Sequence, residues 1–506
     1  MSIDFLEKRG RWKSQTGFIM AAVGSAVGLG NIWRFSYMAH ENGGGAFLIP
    51  YVIALLTVGI PLLVLEFGIG HERIGSAPLA FAKISEKWEW LGWWAVTFVM
   101  FGIALYYCVI IAWCINFVVF SFNLSWGGDP DLFFFKSFLG TTAGPESVGH
   151  VRTPILFSLM LVWFVNWFVV YQGVEKGIEQ ANKLFIPLLF VLMLVLIVWG
   201  LTLEGAKTGI MAYLTPDFHK LMTPKVWINA YSQIFFSLSL GFGIMIAYAS
   251  YLPEKSDITK DALATALADC GFSIMAGFGV FAILGYMAQA SQQPIENVVT
   301  ESIGLAFVVY PKAISLLPGG SVFGILFFLS LTFAGLSSSI SILEAFSSAL
   351  MDKFHFNRKP TVSILCVLGF LGGVIFVTGG GLFWLDIVDH FISHYGLVLV
   401  GILECILVGW FFHIAKIRNH INKVSSLRLG SWWEGLIKYF VPLVLTIILL
   451  SDLIKEGSHP YGNYSWTAII LIGRDWLLFT LIIAFILSRR PWRTEAHRTK
   501  GRSDAP

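Results

Sequence analysis

Along the 506 residues, long apolar stretches alternate with short polar connectors. An α-helix rises 1.5 Å per residue, so about 20 consecutive apolar residues cross a hydrocarbon layer about 30 Å thick. The pattern predicts about twelve such spans, at 14–38, 45–70, 91–122, 153–171, 178–201, 226–251, 261–290, 321–351, 361–378, 384–413, 434–454 and 466–488. Residues 1–13 and 491–506 are polar ends, and no stretch has the mixed composition of a soluble domain. The expected fold is therefore an all-α integral membrane protein. Two connectors are longer, 123–152 and 291–320. The second carries Pro294, Pro311 and the Pro318, Gly319, Gly320 break, which suits either a lid or a plain connector.

Composition strengthens this picture. Hydrophobic residues make up 56% and charged residues 13%, against roughly 45–50% and about 25% in ordinary soluble proteins. The net charge of +3 is small and its cations are scattered, which excludes a nucleic-acid surface. Lys8, Arg9, Arg11, Lys13, Arg73, Lys83, Lys353, Arg358, Lys416 and the arginines from Arg489 onward all fall on one side of the predicted topology. The positive-inside rule makes that side cytoplasmic, with both termini there, as in the plasma (inner) membrane of a prokaryote. The first apolar run is too long and too rich in glycine for a cleavable signal. All five cysteines, Cys108, Cys114, Cys270, Cys366 and Cys405, lie inside apolar runs without a CxxC, so neither a disulfide framework nor a zinc site is expected. HExxH and Walker sequences are missing, and no nucleophile stands beside a base, so an enzyme is not expected.

Glycine is distributed unevenly. GSAVGLGN at 24–31 interrupts the first span and SLSLGFG at 237–243 the sixth, each near its middle. Glycine lets a backbone leave helical geometry. Freed carbonyls and amides are costly in hydrocarbon unless they line a cavity or bind something. Close helix packing is the plainer reading of one such run. Two runs five spans apart point instead to an internal repeat of spans 1–5 (14–201) with 6–10 (226–413), followed by 414–490, and to a ligand site at both breaks.

Oxygen donors gather at these positions. The first break offers the carbonyls of Gly24, Ala26 and Val27 and the side chain of Asn31; Ser237, Asp269, Ser337, Ser338 and Ser339 lie on later spans. A sodium ion prefers several hard oxygens. Serines in membrane helices also bond back to their own helix, but a buried carboxylate needs a partner, a cation or a proton. Asp269 is thus the single residue that most requires a function. Backbone amides where a helix restarts favour an anion, here a substrate carboxylate. Ile103, Tyr107, Phe236, Phe242 and Ile342 are candidates for an apolar wall, each of which alone reads equally as packing.

GSAVGLGNIWRF, ENGGGAF at 41–47, FFSLSLGFG at 235–243, YASY at 248–251 and FAGLSSSISI at 333–342 together resemble the neurotransmitter:sodium symporter family, in its bacterial leucine-transporter-like branch. The resemblance runs in order from about Arg9 to Glu404. It implies a 5+5 inverted repeat with unwound first and sixth helices, alternating access, and Na+-coupled transport of an amino acid. The first sodium set would be Ala26, Asn31, Ser237 and Asp269 with the substrate carboxylate. The second would be the carbonyls of Gly24, Val27 and Ala334 with the hydroxyls of Ser337 and Ser338. Substrate positions would be Ser25, Ala26, Leu29 and Gly30 on the first span and Ile103 and Tyr107 on the third. Phe236, Ser237, Ser239 and Phe242 would join them from the sixth, and Ser338 and Ile342 from the eighth. An outer gate would pair Arg34 with Asp389, and an inner gate Arg9 with Asp352 near Tyr251. Gly177 and Pro187 match an element that unwinds to admit cytoplasmic water.

Two departures sharpen the expectation. Gly28 stands where monoamine carriers have an aspartate, which leaves room for a substrate bringing its own carboxylate. The family's chloride site matches Tyr51, Gln233, Ser237, Asp269 and Ser273, yet Asp269 stands where chloride-dependent members have asparagine. Two sodium ions, a substrate carboxylate and Asp269 sum to zero charge, so no chloride is expected. The expected partners are a neutral, hydrophobic amino acid, the lipid bilayer, and a second copy in a homodimer. Receptor, membrane-enzyme and channel readings fit less well: both gate pairs are present, and opposed gates make poor sense in a continuous pore. Glu66, Glu344 and Glu404 lie in apolar runs as structural hydrogen-bonding groups or as part of an ion path, and His413 and His420 border a cytoplasmic loop.

Overall fold

The computed structural model describes residues 10–295, 302–493 and Arg502. Among the described residues the regular elements are helices, and the strand-like pairings are two isolated bridges, Gly44 with Pro216 and Val151 with Thr378. Among the described residues, ten helices are long and apolar enough to cross a membrane. They are Gly45–Arg73, Glu86–Ser121, Thr153–Tyr171, Val174–Leu201, Ile258–Ser291, Gly320–Phe354, Arg358–Val377, Gly381–Phe411, Ser431–Asn463 and Trp466–Arg489. An eleventh span is a bent pair, Gln15–Ala26 and Leu29–Glu41, meeting at 69°.

The remaining expected span, 226–251, is divided. Pro224–Ser237 ends at a Leu238 cap, and Ile244–Ala249 begins only after Gly243. Between them Ser239, Gly241 and Gly243 take φ values of 53°, 77° and 70°. Such left-handed backbone is nearly free for glycine and costly for most other residues, so the two glycines make this interruption affordable.

The helices that position the site are labelled in chain order: α1 is Gln15–Ala26, α2 Leu29–Glu41, α3 Gly45–Arg73, α4 Glu86–Ser121, α5 Val174–Leu201, α6 Pro224–Ser237, α7 Ile258–Ser291, α8 Gly320–Phe354 and α9 Gly381–Phe411. α1 packs among α5, α7 and α8, while α8 also lies along α4. The broken segments are therefore walled by continuous helices, as exposed polar backbone in hydrocarbon requires. Small residues permit the close approach: a Cβ on Gly335 of α8 would fall 2.5 Å from Ile111 of α4.

Three helices fall in stretches expected to be connectors, Ala77–Ile84, Ala206–Leu214 and Ile414–Val424. They are too short to register as spans. The 291–320 stretch holds a helix, Leu305–Leu316. Its Phe307 is buried and stacks on Phe134 of the other long connector at 5.2 Å. The two connectors thus share an aromatic core instead of lying loose.

Candidate functional site

Unwinding begins at Val27, whose ψ of 100° ends α1, and Gly28 is extended before α2 resumes at Leu29. Asn31 then closes on the break. Its Oδ1 accepts the Gly28 N–H at 2.8 Å, while its Nδ2 donates to Asp269 Oδ1 (2.6 Å), Ser273 Oγ (2.8 Å) and Ser237 Oγ (3.0 Å). Ser237, the last helical residue of α6, donates to Asp269 Oδ2 at 2.6 Å. Asp269 is fully buried on α7 with no cation beside it in this set. One carboxylate therefore holds both breaks through an amide and a hydroxyl. For the amide oxygen to face the same centre, the Asn31 side chain would have to turn over.

A second set lies on the other side of the first break. Ser338 Oγ of α8 donates to Ala334 O (3.2 Å) and, in alternative directions, to Gly24 O (3.3 Å) and Ser25 O (3.4 Å). Ser337 Oγ donates to Ala334 O at 2.9 Å. The backbone of α1 and the hydroxyls of α8 thus converge around Gly24, and Val27 is buried beside them. Ser239 Oγ donates to Ser25 O at 3.0 Å, which ties the second break to the first.

Between the breaks is a small cavity of about 60 Å³. All twelve residues expected at the substrate line it: Ser25, Ala26, Leu29, Gly30, Ile103 and Tyr107 from one half, Phe236, Ser237, Ser239, Phe242, Ser338 and Ile342 from the other. Gly28, Asn31, Gln233 and Ile244 complete the wall. The Tyr107 hydroxyl accepts the Leu29 N–H at 3.3 Å, at the start of α2. One end of the cavity is therefore polar backbone and hydroxyl, and the other is Ile103, Phe236, Phe242 and Ile342.

A larger chamber of about 390 Å³ adjoins it and shares Leu29, Gly30, Tyr107 and Phe236. Arg34 and Asp389 both line this chamber. The Arg34 guanidinium lies 5.0 Å over the Phe236 ring. Asp389 accepts hydrogen bonds from Tyr106 and, at 3.2 Å, from Ser393. Phe236 thus forms a floor between chamber and cavity, with a charged residue resting on it.

At the opposite end, Asp352 Oδ2 accepts the Ser76 N–H at 2.9 Å. Arg9, its expected partner, lies outside the described residues. The Tyr251 hydroxyl donates to Glu344 at 2.6 Å, and Arg358 grips the same carboxylate with two bonds of 2.6 and 2.8 Å. Arg358 had read only as a loop cation. The signal was available, because a carboxylate buried in a span calls for a base nearby. Glu66 accepts the Gly241 N–H at 2.7 Å and so braces the second break, while Glu404 is buried. His420 is buried too, with Nε2 2.9 Å from His71 Nδ1, where the sequence had shown only a loop border.

A model of the sodium:neurotransmitter symporter family matches residues 9–129 and 128–490. The chain belongs to this family. It is 49% identical over 483 residues to an uncharacterized sodium-dependent transporter of Methanocaldococcus jannaschii, covering 95% of this chain and 98% of that one. It is 32% identical over 519 residues to a sodium-dependent dopamine transporter of Caenorhabditis elegans, covering 92% and 84%. A human sodium- and chloride-dependent GABA transporter 2 is 31% identical over 518 residues, covering 93% and 84%. This symporter is thus a multi-helix membrane transporter of a sodium-dependent family, and the family is not one of enzymes.

Proposed function

We propose that this symporter carries a neutral, hydrophobic amino acid into the cell with two sodium ions and without chloride. The observation that carries the reading is the buried Asp269 carboxylate joined to both helix breaks through Asn31 and Ser237. A sodium ion at that centre is matched by Ala26, Asn31, Ser237 and Asp269, and a second by Gly24, Val27, Ala334, Ser337 and Ser338. The zwitterionic substrate adds no net charge, so Asp269 offsets one of the two sodium charges, as a low-dielectric interior favours. It thereby takes the place of a chloride.

The substrate carboxylate lies against the amides of the first break and ligates the first ion, so substrate and ion strengthen each other's binding by the same factor. Gly28 leaves that space open, and the wall of Ile103, Phe236, Phe242 and Ile342 takes the side chain. Tyr107, Ser25, Leu29, Gly30, Ser239 and Ser338 orient the amino-acid head. Arg34 with Asp389 on the outer side, and Arg9, Asp352 and Tyr251 on the inner, close the pathway alternately. The chamber above Phe236 supports an outward-facing arrangement, with both termini in the cytoplasm. An inverted repeat of 14–201 with 226–413 accounts for two breaks facing one cavity.

The driving force suffices. Each inward sodium ion gains about 2.3 kcal/mol per 100 mV and about 1.4 kcal/mol more for a tenfold gradient. Two ions supply roughly 7 kcal/mol, enough for about 10⁵-fold accumulation of a neutral solute. The test is reconstitution into proteoliposomes and a screen of the twenty amino acids with and without a sodium gradient, in chloride and in gluconate. Concentrative uptake of apolar amino acids that needs sodium and ignores chloride is expected. Uptake without sodium, or lost in gluconate, would overturn the corresponding part of the reading.

A further inference from the structure

One buried polar group beside the second sodium set has no role in the assignments above. Asn182 lies on α5, five residues after Gly177, and is fully buried. Its Nδ2 donates to the Ile178 carbonyl at 2.9 Å, and its Oδ1 has no hydrogen-bond partner among the described residues. Leaving a buried amide oxygen unsatisfied costs about 1–3 kcal/mol. An apolar side chain of the same size would avoid that cost.

The oxygen points at the first break. A Cβ built on Gly24 would fall 2.2 Å from Asn182 Oδ1, a separation no real Cβ adopts. Ser338 Oγ approaches the Gly24 carbonyl from α8 at 3.3 Å. Gly24 thus lies between an oxygen of the second sodium set and an oxygen outside it. The helix that carries Asn182 starts in an unusual way. Gly173 has a φ of 91°, and Val174–Glu179 forms a wide π turn. The Asn182 amide bonds to Ile178 within that turn, so any loosening of the turn releases the side chain.

We propose that Asn182 Oδ1 is a further ligand for the second sodium ion, one that meets it as it leaves Gly24 and Ser338 toward the cytoplasmic start of α5. The proposal rests on the sodium reading given above. A neutral amide oxygen suits the task, because it replaces one water of a hard cation without adding a charge that would trap the ion. Tied to the π turn, it couples ion release to the opening of that turn.

The test uses sodium alone as the probe. Purified full-length protein is titrated with NaCl, with choline chloride holding ionic strength constant, and the sodium concentration giving half of the thermal stabilisation is read for the parent, Asn182→Leu, Asn182→Asp and Ser338→Ala. Asn182→Leu is expected to raise that concentration about threefold or more, and Asn182→Asp to lower it by a similar factor. A purely packing role predicts altered melting in choline with the sodium midpoint unmoved in both Asn182 variants, and that result overturns the proposal. If Asn182→Leu does not fold, Asn182→Asp decides alone: an unmoved midpoint overturns it, and a lowered one supports it. A shift in Ser338→Ala without one at Asn182 defeats only this proposal. A parent that does not respond to sodium defeats the symport reading beneath it.

Discussion

The Asn31 amide lies 2.6 Å from the Asp269 carboxylate, so the restart of the first helix is tied to a fixed negative charge on α7. In the proposed scheme that carboxylate supplies the negative charge that an external anion would otherwise bring. An Asp269→Asn protein keeps the size and the hydrogen-bonding shape but loses the charge, leaving the loaded site one unit more positive. Its sodium-driven uptake is expected to fall about tenfold or more in gluconate and to recover in chloride, whereas the parent is equal in both. Equal uptake by the variant in the two media would break the charge argument.

Gly28 leaves room in the cavity beside Tyr107 and Ser338, where the proposed function puts the substrate head. A Cβ there would lie 3.0 Å from the Tyr107 hydroxyl and 3.3 Å from Ser338 Oγ. Both neighbours must yield slightly, and overpacking of this kind costs about 1–3 kcal/mol. Gly28→Ala should therefore raise the substrate KM roughly 5- to 150-fold. Initial uptake rates measured against substrate concentration check this, and an unchanged KM would mean that the substrate head lies elsewhere.

How far the chain disclosed its own architecture depends on which forces act locally. Thr153–Tyr171 matches the expected span at both ends because hydrophobicity alone bounds it. Glu86–Ser121 begins earlier than expected, since Glu86, Lys87 and Glu89 bound the apolar run without bounding the helix. The glycine runs marked both breaks, because departure from helical φ leaves a local trace. Tyr107, Phe242 and Ile342 were candidates for an apolar wall from the residues, and the resemblance added Ser25 and Ser239; all five line one cavity. His420 against His71 and the Asn182 oxygen facing Gly24 escaped, because each is set by contact between segments distant in the chain, whereas Arg358 lies only 14 residues from Glu344 and its pairing was open to the buried-carboxylate argument.

The second break depends on left-handed backbone held by a carboxylate. Gly241 has a φ of 77°, and its N–H donates to Glu66 at 2.7 Å. A side chain in that conformation costs about 1–2 kcal/mol, and a Cβ would also lie 3.3 Å from Leu397. Gly241→Ala is expected to lower the thermal midpoint of the detergent-solubilised protein and to weaken substrate binding more than sodium-free stability. A variant as stable and as active as the parent would show that the break does not need this geometry.

Stability should also respond to acid around His420. Burial, with Arg502, Lys423 and Arg73 nearby, lowers the His420 pKa from the usual 6.5 to about 4. The unfolded chain therefore binds the proton more tightly than the folded one. The stabilisation is complete above about pH 6.5, is lost as pH falls toward about 4, and declines by at most about 1.4 kcal/mol per pH unit. Thermal unfolding followed from pH 8 to pH 4.5 should show this decline in the parent and a shallower one in His420→Gln. Identical pH slopes would remove His420 as the cause.

In the proposed reading the apolar wall selects the substrate side chain, and Ile342 is the residue to test. It is buried on α8 and lines the cavity with Ile103, Phe236 and Phe242, whose two phenyl rings meet edge-on at 6.1 Å. Ile342→Ala removes three carbons from a wall that the other residues hold in place, so the space gained lies where a substrate side chain would end. A single methylene of fit is worth about 1–3 kcal/mol of discrimination. Uptake of aliphatic amino acids should therefore lose about tenfold or more in kcat/KM, while bulkier aromatic ones lose less or gain. Competition among leucine, phenylalanine and tryptophan in proteoliposomes measures the order directly. If that order is the same in parent and variant, Ile342 does not face the transported side chain.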